Sequence, residues 1–184
     1  MFTTVQGRAK AAPIIFRSLP PDAARRYTPP MKSGNCLCRR DIVLGALAAA
    51  PDHLYSPVQV QKLFFLIDKL VTPQMGARPF FDFQPYHYGP FDRNVYEEIE
   101  HLENDGLVEI VRDQDLRKRR FRLLPGGKDE GATVLNLLKP EVQAFVRNLS
   151  EFVRNTSFPQ LVSAIYQKFP EMKARSVFVD HSAA

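Results

Sequence analysis

The stretch from residue 81 to residue 96, FDFQPYHYGPFDRNVY, constrains the fold more than any other part of the chain. Its first half alternates apolar residues with polar or tyrosine residues, which is the period of a half-buried β-strand. The apolar positions of this alternation are Phe81, Phe83 and Pro85. Pro90 has no backbone N–H and biases Gly89 away from helical angles, so we expect the strand to end at this pair. Asp92 then stands where the N-cap of a helix belongs.

Two helices are predicted before this stretch. The first covers residues 42–50, with Asp41 as its N-cap. The second starts at a capping box, in which Ser56 is the N-cap, Pro57 the first helical residue and Gln59 the reciprocal partner. It runs to about residue 71 with a wide apolar stripe. The polar residues that fall outside this stripe are Gln61, Lys62, Asp68 and Lys69.

A helix and a hairpin are predicted after the aromatic stretch. The helix covers residues 93–104 and ends at Gly106, which suits a left-handed C-terminal position. Its inward residues are Val95, Ile99 and Leu102, and its other side carries Glu97, Glu98, Glu100 and Glu103. The hairpin joins residues 107–112 to residues 118–124. Because Phe121 would choose the core, its strand should turn a basic stripe to solvent, formed by Lys118, Arg120 and Arg122.

The remaining chain is predicted to be helical. Pro125-Gly126-Gly127 should end the hairpin, and a short helix should follow over residues 132–138. Pro140 opens another helix with clean i, i+3, i+4, i+7 apolar spacing, and Ser157 can cap a further one. The element order predicts a mainly helical α+β fold, with a winged helix-turn-helix-like core, a two-stranded β-hairpin wing and additional C-terminal helices.

The charge of the chain divides unevenly. Of its net charge of +5, residues 1–40 carry +7, from eight Lys or Arg and one acid, and residues 41–184 carry −2. We therefore predict a disordered basic tail over 1–40, a folded domain over 41–176 and a C-terminal tail over 177–184. A transit peptide, or a start at Met31, are the other interpretations of the basic segment. No apolar run is long enough to cross a bilayer, so we predict a cytoplasmic protein without membrane contact.

Catalytic and metal-binding signals are weak. Cys36 and Cys38 are the only cysteines, and a lone C-x-C pair supplies too few ligands for a zinc site. His87 stands between two tyrosines, but no nucleophile or carboxylate accompanies it at motif spacing, which leaves a hydrolase as a distant third interpretation. The sequence predicts no enzyme, no metal and no cofactor.

Several pieces of the sequence resemble one bacterial family in the right order. They are QKLFFLIDKL at 61–70, FDFQPYHYGPFDRNVYEEI at 81–99, NDGLV at 104–108 and SFPQLVSAIYQKFPEMKARS at 157–176. This set is similar to the Panacea antitoxin (SocA-like) domain, although the tryptophan common before that family's Tyr-Gly-Pro turn is absent here. The resemblance implies a protein that neutralises a toxin or serves as an adaptor by binding another protein, without a catalytic centre.

The resemblance and the aromatic turn together suggest a partner-binding surface. Its predicted residues are Gln61, Lys62, Tyr86, His87, Tyr88, Gly89, Pro90 and Tyr96. Gln61 and Lys62 have a second interpretation as the exposed edge of their helix. The partner is another protein, with a cognate toxin as the leading example, and a homodimer stays open.

DNA binding is the main alternative. In a winged helix, the helix before the wing usually enters the major groove. The residues that would serve it here are Arg93, Asn94, Arg117, Lys118, Arg120 and Arg122. Four glutamates on the same helix oppose binding, because affinity depends on neutralising phosphate charge. We therefore rank a DNA-binding regulator second to a protein-binding module.

Overall fold

The computed structural model describes residues 37–112 and 119–178 and shows a mainly helical α+β fold. Its helices are α1 Arg39–Ala48, α2 Pro57–Leu70, α3 Asn94–Asn104, α4 Pro125–Leu137, α5 Pro140–Asn155 and α6 Phe158–Lys168. Its strands are β1 Gln84–Tyr86, β2 Gly89–Phe91, β3 Val108–Arg112 and β4 Arg119–Leu123. The predicted basic tail up to residue 36, Cys36 and the 113–118 end of the wing lie outside the described residues.

Helix α2 lies at the centre of the molecule. Every residue from Val60 to Asp68 is buried, so the helix is enclosed on all sides by the other elements. The predicted capping box is confirmed: Gln59 N donates to Ser56 Oγ at 3.2 Å, and Ser56 N donates to Gln59 Oε1 at 2.8 Å. The expectation that Gln61, Lys62 and Asp68 lie outside the buried stripe is wrong. Their polar atoms instead form hydrogen bonds within the core, and these bonds offset the free-energy cost of burying them.

Helix α1 begins three residues earlier than predicted. Asp41 is not its N-cap but its third residue, and the Asp41 carboxylate accepts a 2.8 Å hydrogen bond from Cys38 N. This is the backward reach of a capping box, which lets the helix extend to Arg39.

Helix α4 begins seven residues earlier than predicted. Pro125-Gly126-Gly127 starts the helix instead of only ending the hairpin, since proline at the first helical position needs no N–H partner. The glycines let α4 approach its neighbours closely. A Cβ on Gly127 would lie 2.0 Å from Leu107 O, and a Cβ on Gly131 would lie 2.5 Å from Leu44 O in α1.

The aromatic stretch forms a hairpin instead of a single strand. β1 pairs with β2 in antiparallel register, with Gln84 opposite Phe91 and Tyr86 opposite Gly89. The prediction that the chain leaves the sheet at Gly89 and Pro90 is therefore wrong. Pro90 faces Pro85, so neither member of that pair has an N–H for the ladder. Gly89, the first residue of β2 after the turn at His87 and Tyr88, has a positive φ of +92°. The buried-exposed alternation predicted before β1 is confirmed, because Phe81 and Phe83 are buried while Asp82 is exposed.

The second hairpin follows the prediction closely. β3 and β4 are antiparallel, with Val108 opposite Leu123. Phe121 and Leu123 are buried, whereas Arg120 and Arg122 point to solvent. Tyr55 adds a backbone bridge on the free side of β4, since its N–H donates to Phe121 O at 2.8 Å and its C=O accepts from Phe121 N at 2.9 Å.

The C-terminal helices complete the core. The predicted apolar stripe of α5 is buried along its whole length, and α6 begins after Ser157 as predicted. The inward residues of α6 are Leu161, Val162, Ile165 and Tyr166. None of the described helices has both the length and the apolar character that a membrane span requires.

The α1–α4 contact gives a direct test of the fold. Gly131→Ala should lower the free energy of unfolding by about 1–3 kcal/mol, because the new Cβ overlaps the backbone of α1. The loss should appear even though alanine favours a helix over glycine by about 1 kcal/mol. Denaturant titration followed by circular dichroism measures it. Gly126→Ala is the matched control: its Cβ meets only the end of Leu107 at 3.3 Å, so stability should be unchanged or slightly raised.

Candidate functional site

The side-chain amide of Gln61 holds the end of the first hairpin. Its Nε2 donates to Asp92 O at 2.9 Å, and its Oε1 accepts from Asp92 N at 3.0 Å. The residue is only 2% exposed. A primary amide can pair with a backbone peptide in this reciprocal way because it carries both a donor and an acceptor. Gln61 therefore positions the hairpin from beneath and does not lie on the surface.

Lys62 anchors the same hairpin at Pro90, two residues before Asp92. Its Nζ donates to Pro90 O at 2.9 Å, and the side chain is 4% exposed. Burial lowers the pKa of Lys62 from its ordinary value to about 7, because the charged amine loses its hydration. Gly89 passes directly over it, and a Cβ at that position would lie 3.4 Å from Nζ.

Asp92 joins the hairpin to α3. Its carboxylate accepts from Asp82 N at 2.6 Å and from the backbone N of Asn94 at 2.8 Å. The second bond is the one that the sequence predicts for an N-cap carboxylate, although the helix itself begins at Asn94. Asn94 also donates its side-chain amide to Asp92, at 2.9 Å. Asp92 is thus the joint between β1, β2 and α3.

The outer side of this hairpin carries exposed rings. Tyr86 and Tyr88 are 47% and 48% exposed, and the His87 ring stacks on Tyr86 with centroids 4.3 Å apart. Tyr88 meets Phe158 of α6 edge to face at 5.5 Å. Four of the six large apolar side chains that are exposed in the described part of the chain lie together here. We call this surface the aromatic face; it consists of Tyr86, His87, Tyr88, Phe158 and Val177.

Sequence reasoning missed Phe158 and Val177. The chain after α6 folds back onto the hairpin, and Val177 N donates to His87 O at 3.0 Å. Ser176 supports this contact, since its Oγ accepts from the hydroxyl of Tyr166 at 2.7 Å. The ring of Phe178 lies against Phe158 at 5.9 Å. Val177, which we assigned to the C-terminal tail, thus belongs to the aromatic face, and Phe178 from the same predicted tail packs beside it.

Tyr96 does not belong to the aromatic face, although its ring contacts Phe91 of β2 with centroids 5.8 Å apart. Its hydroxyl donates to Pro57 O at 3.3 Å, and its ring stacks on Phe121 of the second hairpin at 6.1 Å. The guanidinium of Arg119 lies 4.9 Å from the ring centroid on the outer side. Tyr96 therefore connects α3 to β4.

The glutamates of α3 are engaged by arginines. Glu103 forms a two-armed ion pair with Arg112, at 2.7 and 2.8 Å, and this pairing lowers the pKa of Glu103. Glu103 also accepts from Ile110 N at 3.2 Å, so it covers the outer edge of β3. The two remaining pairs are Glu100–Arg119 at 3.2 Å and Glu97–Arg93 at 3.0 Å. Three of these four glutamates are thus paired with arginines, while their side chains stay partly exposed to solvent.

Several residues of the DNA-binding alternative are engaged in contacts within the protein. Arg93 pairs with Glu97, and Arg122 pairs with Glu109 at 2.5 Å. Asn94 is bonded to Asp92. Arg120 is exposed and forms no ion pair within residues 37–112 and 119–178. Arg117 and Lys118 lie outside the described residues.

Metal ligands are not assembled in the described part of the chain. No three His, Cys, Asp or Glu side chains there are placed to hold an ion.

Replacing Lys62 should change how stability depends on pH. The unfolded chain keeps the Lys62 proton up to about pH 10.5, whereas the folded chain releases it near 7. Between these pH values Lys62 takes up a proton when the chain unfolds, so this residue should make the free energy of unfolding rise with pH. Relative to Lys62→Met, the wild type should gain about 1 kcal/mol per pH unit between pH 7.5 and 9.5. Denaturant titrations across this range measure the gain.

The exposed Lys69 in the same helix supplies the control. Lys69→Met removes one exposed amine from the same helix and leaves Lys62 in place, so it controls for the loss of a lysine. A Lys62→Met curve that stays parallel to that of the wild type would contradict the assignment of a neutral, buried amine.

Comparison with known proteins does not assign this site to a family. No family model matches the chain, and a search of curated proteins returns no significant match. The resemblance to the Panacea antitoxin domain accordingly stays a hypothesis.

Proposed function

We propose that this chain is a cytoplasmic, non-enzymatic protein-binding module whose partner binds at the aromatic face. A single observation supports it most: most of the exposed large apolar side chains in the described residues lie together around the β1–β2 turn. Contiguous apolar surface of this kind is uncommon on a protein that has no partner. Tyrosines are among the residues that contribute most to protein–protein affinity, since each buries a large ring and retains a polar hydroxyl.

The face is held in shape before a partner arrives. Gln61 and Lys62 fix the backbone of β2 from the buried side, and Val177 ties the C-terminal segment to His87. A preorganised surface loses less conformational entropy on binding than a flexible loop does. In this proposal Gln61, Lys62, Gly89 and Pro90 act by positioning, and contact with the partner falls to Tyr86, His87 and Tyr88.

We further propose a winged-helix-like core for this module. Supporting it are the order α1, α2, α3 followed by the β3–β4 hairpin, and the Tyr55 bridge that widens that hairpin to three segments. A role as a toxin-neutralising antitoxin or a regulatory adaptor follows from the sequence resemblance, with a toxin as the first partner to try.

The pairing on α3 weighs against the DNA-binding alternative. Phosphates reaching Arg93 or Arg122 would compete with Glu97 or Glu109, which pair with those arginines at the surface. Phosphate neutralisation by free Lys and Arg is the main source of DNA affinity. Among the described residues of that alternative, Arg120 is left as the exposed arginine outside an ion pair.

Site-directed photocrosslinking in the native cells tests the proposal. Benzoylphenylalanine at Tyr88 should give one discrete protein adduct after irradiation. The same group at Leu137, which is 65% exposed on α4, is the matched control and should give none. The double variant Tyr86→Ser/Tyr88→Ser should then weaken binding of the identified protein by about tenfold or more, as expected for hot-spot tyrosines.

Three results would contradict the proposal. One is a pattern of adducts that is the same from Tyr88 and Leu137. Another is an adduct to nucleic acid from Tyr88. The third is full affinity in the double serine variant, with its circular dichroism spectrum unchanged.

A further inference from the structure

The surroundings of the aromatic face carry a net positive charge. The hairpin residues 84–91 contain no charged side chain, and residues 157–178 contain Lys168, Lys173, Arg175 and one acid, Glu171. The face and its border therefore carry +2, while the rest of residues 41–184 carries −4. These two segments are therefore basic, whereas the rest of residues 41–184 is acidic.

Lys173 and Arg175 are placed to act at the border of the face. Lys173 ends the short 3₁₀ helix Pro170–Lys173, which packs on β1, and Arg175 immediately precedes the segment bonded to His87. Lys173 and Arg175 are both exposed, and neither forms an ion pair within the described part of the chain. Their charge is thus available to a partner, in contrast to the arginines that pair with α3.

The positive charge at the border argues against two possible ligands of the aromatic face, namely a second copy of this chain and the chain's own basic segment 1–36. A second copy bound through the same face would bring two positive borders together, which repel each other. The basic segment 1–36 would be repelled for the same reason, since its six Lys or Arg outnumber its single acid.

The geometry of the rings separates a protein from a nucleic acid. Single-stranded nucleic acids stack their bases on open aromatic surfaces. Here the Tyr88 and Phe158 planes are inclined at 71°, and the Phe158 and Phe178 planes at 88°. One side of the Tyr86 ring is covered by His87 at 4.3 Å. Rings inclined in this way do not form a flat platform for a run of stacked bases, whereas a single aromatic or aliphatic side chain can pack against them.

We propose that the aromatic face binds an acidic protein segment that carries an aromatic or aliphatic anchor residue. The anchor lies among Tyr88, Phe158 and Val177, and the carboxylates around it pair with Lys173 and Arg175. This inference rests on the proposed protein-binding function and defines the chemistry of its partner.

Selection from a random peptide library tests the inference. Twelve-residue peptides displayed on phage are selected on the full chain and counter-selected on its Tyr88→Ser variant. The Tyr88-dependent clones should share at least two acidic residues beside an aromatic or aliphatic one. The best peptide, made synthetically with a fluorescent label, should lose affinity as salt rises, because exposed charges are screened.

Charge reversal on the protein gives the quantitative measurement. Lys173→Glu/Arg175→Glu should weaken binding of that peptide by about tenfold or more at low salt, since two attractions become two repulsions. Arg120→Glu, an exposed reversal on β4, is the matched control and should change affinity less than about twofold. Thermal unfolding curves establish that all the variants are folded.

Four other outcomes would overturn the inference. Tyr88-dependent clones that are neutral or basic would overturn this inference and leave the proposed function standing. An absence of Tyr88-dependent clones would overturn both. Binding of labelled oligo-dT that is lost in Tyr88→Ser would assign the face to nucleic acid. Peptide binding that requires removal of residues 179–184 would show that the chain covers its own face, which also overturns the inference.

Discussion

The buried polar side chains of α2 determine where the first hairpin lies. A hairpin of three-residue strands is too small to be stable alone, and it needs a partner for the backbone groups that face the core. Gln61 and Lys62 provide those partners, and Asp92 carries the constraint on into α3. Because these bonds lie inside the core, the outer side of the hairpin is left to carry exposed tyrosines. Both the α2–α3 connection and the aromatic face depend on this arrangement.

Local signals were sufficient for much of the fold. The Ser56 capping box, the alternation through β4 and the apolar stripe of α5 each depend on residues a few positions apart, and all were predicted correctly. Long-range contacts decided the rest. Whether Lys62 is buried depends on a carbonyl 28 residues away, and the length of α4 depends on how closely glycine lets it approach α1. The role of Val177 depends on His87, which no local pattern could indicate.

The glutamates of α3 show why a run of charges is ambiguous in sequence. Acidic residues at helical spacing are usually solvated, but here a following hairpin supplies arginines at matching positions. The Glu103–Arg112 pair also occupies the N–H and C=O of Ile110, so it shields an edge strand from further pairing. Charge that appears available for an external partner is used inside the molecule, whereas Lys173 and Arg175 near the aromatic face form no ion pair within residues 37–112 and 119–178.

Backbone hydrogen exchange by nuclear magnetic resonance tests most directly whether the aromatic face is preformed. The Asp92 amide is bonded to Gln61 and the Val177 amide to His87, so both should be protected in the free protein. Their exchange should be slower than in an unstructured peptide by about a thousandfold for Asp92, in the range of stable core elements, and measurably slower for Val177. Exchange of either amide at the rate of an unstructured peptide would contradict a face that α2 holds in place.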